Sequence, residues 1–223
     1  MYRIVLSLLL FTISVYLYSC KKENKNYNSR WTLVNAVPNS RDYSFSFAGE
    51  MIDSTLAYGL PLYEKTAPAT TGIMEWKHNT IPFNDSSFMT DIPNGQDYTF
   101  IFYDSIGRQK TWLQKDDWKK SSDKKGYLRF FPLVIGSKLL NIRNDTNKTI
   151  IQSRAFGSFL ATGSDFLEVD TFTTKLRLYE NATLLDSLPN TTILAGHSYS
   201  IYAIGVLGQS GDKRPKMIIH QHE

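Results

Sequence analysis

Short runs in which apolar and polar residues alternate recur along most of the chain, with turn-forming residues between them. Tyr43-Ser-Phe45-Ser-Phe47 alternates aromatic with serine, and Thr174-Lys-Leu176-Arg-Leu178-Tyr179 alternates aliphatic with polar. A period of two puts every second side chain on one face, so each run reads as a strand with one buried face. The same reading predicts strands at 31–37, around 57–59, and over 73–78, 87–92 and 98–103. A returning hairpin strand is expected at 109–114. Residues 65–72 read as a loop. Further along, strands are expected at 127–135, 138–143, 149–152, 166–169 and 174–179, and after Tyr199, with 182–188 preceding the second corner. Residues 213–222 read as a tail with one apolar run, Met217-Ile-Ile. No stretch has the 3.6-residue period of a long amphipathic helix.

One stretch occurs twice. Ile92-Pro-Asn-Gly95-Gln-Asp-Tyr98-Thr-Phe matches Ile193-Leu-Ala-Gly196-His-Ser-Tyr199-Ser-Ile at an offset of 101. Each is a glycine corner followed by a β-branched and aromatic run. Leu56-Ala57-Tyr58-Gly59 resembles Arg154-Ala155-Phe156-Gly157 at an offset of 98. A third pair, around Trp76 and Tyr179, lies between them. Three landmarks in the same order predict a duplicated domain. A tyrosine three residues past a corner glycine resembles the tyrosine corner of immunoglobulin-like sandwiches, whose phenol ties the corner backbone down.

At 223 residues the chain suits two domains of ordinary small size. The fold class expected is all-β: two tandem immunoglobulin-like/transthyretin-like β-sandwich domains, at 31–120 and 127–211. The charged stretch from Asp116 to Gly126 marks the boundary, with 121–126 as linker and 212–223 as a C-terminal tail. With 42% hydrophobic and 21% charged residues, the composition is globular. A net charge of +4 is too small an excess to imply nucleic acid as a partner.

The N-terminus carries the address. A short basic start with Arg3 precedes an apolar segment, 4–17, which has the length of a signal-peptide core and is short for a membrane-spanning helix. It ends in Leu17-Tyr18-Ser19-Cys20, which resembles the lipobox of bacterial lipoproteins. That resemblance implies a signal peptide over 1–19, cleavage before Cys20 and lipid attachment to the Cys20 thiol. Cys20 is the one cysteine, so no intrachain disulfide can form. The polar stretch 20–30 reads as a solvated tether. The expected location is the cell envelope, at the outer membrane, on either its periplasmic or its outer face.

Val34-Asn35-Ala36-Val37-Pro38, Leu56-Ala57-Tyr58-Gly59 and Ile92 to Thr99 together resemble an uncharacterised envelope domain that occurs in tandem on lipoproteins of Bacteroidota. The second half keeps Ala155-Phe156-Gly157 and the corner but lacks the Asn-Ala-x-Pro. The resemblance implies no catalytic residues and no cofactor.

Motifs that carry chemistry are few. His78, His197, His220 and His222 have no metal-ligand spacing, and His220-Gln-His222 reads as a polar terminus. Nucleophile elbows, Walker loops and dinucleotide fingerprints are missing from the sequence. Trp112 and Trp118, interleaved with lysines, are the candidate ligand-facing aromatics; the competing reading makes them cover for the domain junction. Asp53-Ser-Thr, Asp104-Ser-Ile and Asp186-Ser-Leu resemble an O-glycosylation acceptor of Bacteroidota envelopes. The expected function is a non-enzymatic envelope lipoprotein that binds a glycan or another envelope protein, or serves as a spacer. The alternatives are a fimbria-like subunit and a hydrolase built on the sandwich, the latter requiring a histidine hydrogen-bonded to a serine or two facing carboxylates in a cleft.

Overall fold

The computed structural model describes residues 29–40, 43–59, 63–78, 86–116, 124–158 and 166–222. The signal-peptide segment, Cys20 and most of the tether lie outside these residues, as does Trp118. The first half contributes β1 (Ser29–Asn35), β2 (Tyr43–Phe47), β3 (Glu50–Leu56), β4 (Tyr63–Ala67), β5 (Thr71–His78), β6 (Ser86–Asp91), β7 (Asp97–Tyr103) and β8 (Lys110–Asp116). The second contributes β9 (Lys125–Ile135), β10 (Leu139–Arg143), β11 (Thr149–Ala155), β12 (Leu167–Asp170), β13 (Phe172–Glu180), β14 (Thr183–Ile193), β15 (Ser198–Val206) and β16 (Lys216–His222). One short 3-10 turn, Gly211–Lys213, precedes β16. No helix among the described residues is long and apolar enough to cross a membrane.

Four sheets result, and the second half repeats the first strand for strand. Sheet order β4-β1-β7-β8 recurs as β12-β9-β15-β16, and β3-β2-β5-β6 recurs as β11-β10-β13-β14. In both halves the first strand runs parallel to the seventh, while the remaining pairings are antiparallel. Each half is a sandwich-like unit, because the sheets are apolar on the faces they turn to each other. The register aligns the copies: Trp31 stands opposite Tyr98 as Leu128 stands opposite Tyr199.

The two cores use different side chains in the same frame. The first is aromatic: Trp31 packs on Phe45 at 5.7 Å and Phe47 at 5.4 Å, and Phe100 lies 4.6 Å from Phe102. The second is mostly aliphatic, built on Leu128, Leu140, Ile142, Leu176, Leu178 and Ile201. Neither uses a disulfide, so area removed from water is the main favourable term in both.

The glycine corners form as expected, with φ near +72° at Gly95 and +73° at Gly196. Only the second is tied by its tyrosine. The Leu194 N–H donates to Tyr199 Oη at 3.1 Å. In the first copy that position is Pro93, which has no N–H to give. Ser29 Oγ instead donates to the Pro93 carbonyl at 3.0 Å.

Four local expectations change. The strand expected around 57–59 is a turn, since β3 ends at Leu56. The run 213–222 is not a tail: β16 pairs along β15, from Ile204 opposite Lys216 to Ser198 opposite His222. Met217 and Ile219 alternate into the core. The stretch 65–72 is not all loop, because β4 pairs with β1 from Ser29 opposite Ala67 to Leu33 opposite Tyr63. Lys125 and Gly126 belong to β9 rather than to a linker. Gly126 passes against Ile193, where a β-carbon would collide with Ile193 Cγ2 and the Leu194 carbonyl.

Candidate functional site: the joint between the sandwiches

In the sheet β4-β1-β7-β8 the central strands β1 and β7 are buried on both faces along most of their length. The sheet's outer face meets the outer face of β12-β9-β15-β16, giving four layers. Val34, Ala36, Ile101 and Tyr103 pack there with Phe131, Leu133, Tyr202 and Ile204. By the register these are four equivalent pairs: Val34 with Phe131, Ala36 with Leu133, Ile101 with Tyr202, and Tyr103 with Ile204. The contacts are also reciprocal. A β-carbon on Gly59 would lie 3.1 Å from Ile204 Cδ1, and one on the equivalent Gly157 would lie 3.5 Å from the Tyr103 ring. Reciprocity of this kind is the mark of a two-fold contact. The repeated Ala-Tyr/Phe-Gly landmark is thus the clasp of the joint. Gly59 N–H donates to the Asn35 carbonyl and Gly157 N–H to the Pro132 carbonyl, at 3.1 and 2.9 Å.

A polar network lies inside this apolar contact. Arg129 and Asp116 form an ion pair whose side chains are 1% and 0% exposed. Arg129 Nη2 also donates to Thr99 Oγ1 at 3.0 Å and to Ser200 Oγ at 2.9 Å, and Nε donates to Ser200 Oγ at 3.0 Å. Thr99 Oγ1 donates to Asp116 Oδ2 at 2.7 Å. The guanidinium lies 4.8 Å from the Phe131 ring centroid and 4.7 Å from that of Phe166. Burial pushes the Asp116 carboxyl above the ordinary aspartate range, and the Arg129 charge and hydrogen bonds oppose that rise. The Tyr202 hydroxyl is pushed up to about 12 by burial. Its ring stacks on Phe131 at 4.9 Å.

Ser200 Oγ and His222 Nε2 are 2.7 Å apart. This is the serine–histidine pair that a hydrolase requires, but its surroundings differ from those of a nucleophile. Ser200 is 0% exposed, and its oxygen accepts two bonds from Arg129. Donating to His222 as well uses the rest of its capacity. Burial, with Arg129, His220 and Arg30 adding their charges, holds the His222 imidazolium far below the ordinary histidine range, so the ring is neutral. The expected polar terminus at His220 and His222 is therefore part of the joint; His222 is 4% exposed.

Trp112 is half-buried against the joint cluster and donates Nε1–H to Gln114 Oε1 at 3.2 Å. His197 Nδ1 lies 2.8 Å from the Ala195 carbonyl at the second corner. Each aspartate of the three Asp-Ser tripeptides holds local structure. Asp53 accepts from Thr55 N–H and pairs with Lys65 at 3.1 Å; Asp104 accepts from Ser105 N–H and pairs with Lys110 at 3.1 Å. Asp186 accepts from Met217 N–H at 2.7 Å, tying β14 to β16. No group of three or more His, Cys, Asp or Glu side chains among the described residues is arranged to hold a metal.

The joint opens at one end into a cleft of about 340 Å³, lined by Asn39, Tyr58, Asp212, Lys213 and Lys216 among others. Lys216 Nζ lies 5.0 Å from the Tyr58 ring centroid. Burial, with the Asp212 charge adding to it, raises the Tyr58 hydroxyl to about 12, so it stays protonated. A second opening of about 400 Å³ adjoins it through Asn39 and Lys213, with Pro38, Ile106, Ile135 and Val206 on its walls.

Reading the sequence missed Arg129, Thr99 and Ser200. One signal was present: Arg129 interrupts an otherwise apolar strand, Tyr127-Leu-Arg-Phe-Phe, where a charge needs a buried partner. The partner, Asp116, sat in a stretch read as a solvated boundary. Comparison with known proteins finds no matching family model and no matching curated sequence.

Proposed function

We propose that this chain is a lipid-anchored protein of a bacterial cell envelope, fixed through Cys20, whose two tandem immunoglobulin-like/transthyretin-like sandwiches act as one rigid, non-enzymatic module for recognition. The observation that carries the reading is the joint. Its reactive side chains are committed to one another beneath apolar cover, and the four-layer body leaves loops and an inter-sandwich cleft for contact with a glycan or another envelope protein. Rigid scaffolds with exposed loops are the usual platform for recognition.

The tether supports the address. β1 opens at Ser29, nine residues after Cys20, so the folded body would stand close to the membrane that holds the lipid. Two or three acyl chains anchor firmly, since each buried methylene contributes about 0.8 kcal/mol.

Fractionating cells that carry Cys20→Ala tests the anchor: the variant is expected in the soluble envelope fraction, and retention with the membrane overturns that part. A glycan array and pull-down with the purified protein test recognition.

A further inference from the structure

The two copies differ at the clasp, and the differences bear on the cleft. In the first copy Tyr103 stands opposite Lys110 across the β7–β8 pair; in the second the equivalent residues are Ile204 and Lys216. Tyr103 packs on Phe156 at 6.0 Å and fills its end of the joint. Ile204 is smaller, and the Lys216 ammonium comes up beside it, so close that a β-carbon on Gly59 would lie 2.6 Å from Lys216 Nζ. Lys110 is neutralised by Asp104 at 3.1 Å. The residue at the Asp104 position of the second copy is Gly205, which carries no carboxylate. Lys216 is therefore left with the Tyr58 ring as its neighbour, and Lys213 stands beside the same cleft. Neither ammonium is within ion-pair distance of a carboxylate among the described residues, whereas Lys65, Lys110 and Lys125 all are.

Asp212 also lines the cleft, so two ammonium groups face one carboxylate and the balance is positive. The adjoining opening is apolar on Ile106, Ile135 and Val206, and Asn39 lines both. A small ligand site combines an apolar wall with a few convergent polar groups, and these volumes are of the usual size. We propose that this cleft binds a carboxylate bearing an apolar substituent: the acid group meets Lys213 and Lys216, and the apolar part lies against Ile106, Ile135 and Val206. The free end of a peptide with an apolar last residue and a short acyl acid share this chemistry. The assignment deepens the recognition reading and does not depend on the lipid anchor.

Saturation-transfer NMR on the purified protein at pH 7 tests it with three probes: acetyl-glycyl-leucine as the free acid, its amide, and hexanoate. The free acid is expected to bind at least about 10-fold more tightly than the amide, as loss of one charge-assisted contact implies. The double variant Lys213→Gln/Lys216→Gln, and separately Ile106→Asp, are expected to weaken it by about 10-fold or more. Lys213 and Lys216 are half-buried and Ile106 is exposed, and unchanged melting temperatures exclude a folding effect. Hexanoate binding as tightly as the peptide acid supports the site and points to an acyl source. Equal binding of acid and amide, indifference to the double variant, or failure of every probe overturns the assignment. Glycan or envelope-partner binding by a protein that fails every probe would end the cleft assignment while leaving the recognition reading standing.

Discussion

Arg129 and Asp116 show what one misplaced charge does to an otherwise apolar contact. Removing one partner strands the other without water, which costs about 3–5 kcal/mol, whereas replacing both with apolar residues of similar size is often neutral. Arg129→Met is therefore expected to destabilise by about 3–5 kcal/mol, and Arg129→Met/Asp116→Leu to recover most of it. Urea unfolding of the three proteins checks this, and equal damage in the single and double variants would refute it. His222 is buried neutral, so its folded-state affinity for a proton lies below the unfolded value near 6.5. The unfolded chain then binds the extra proton as pH falls, and the stability due to this ring is lost on the acid side. Between pH 7 and pH 5 the loss from this group is about 2 kcal/mol. Stability against pH should flatten over that window in His222→Gln; an unchanged slope would show that another group carries it.

Among elements, the paired corners are an internal control. Tyr199→Phe removes the hydrogen bond from Leu194 N–H, a part-buried contact, so it is expected to cost about 0.5–1.5 kcal/mol. Tyr98→Phe removes no such bond, because Pro93 has no N–H, and its cost should be smaller. Chemical denaturation of both variants reads the difference directly. The β9 strand supplies a steric test. Gly126 packs against Ile193 and the Leu194 carbonyl, so Gly126→Ala is expected to destabilise by about 1–3 kcal/mol through overpacking. Gly49, at φ +78° in the open turn between β2 and β3, meets no atom within 4 Å. An alanine there tests the backbone conformation alone.

Over the whole molecule, two sandwiches share one buried face, and neither can cover it alone. Val34, Ile101, Phe131 and Tyr202 would be exposed on separation. The chain is expected to unfold in a single calorimetric transition, with van't Hoff and calorimetric enthalpies equal. Phe131→Asp puts an unpaired charge into the joint and is expected to split that transition in two. One cooperative transition in this variant would mean that the joint does not couple the halves.

The duplication, the all-β class and most strands were legible in the sequence, because a period of two and a glycine corner are local properties that each segment carries by itself. Tyr43, Phe45 and Phe47 state their buried face without reference to any other strand. What the local pattern could not state is which strands lie beside which, and what covers a face that is apolar on the far side as well. Thus 65–67 and 216–222, read as loop and tail, became β4 and β16 because a neighbouring strand offered its open edge. The meanings of Arg129, Asp116 and His222 were likewise decided only by tertiary structure. Residues 13 and 93 positions apart were brought into one dry layer, where charge and hydrogen-bonding capacity must be satisfied by whatever the opposite sheet presents.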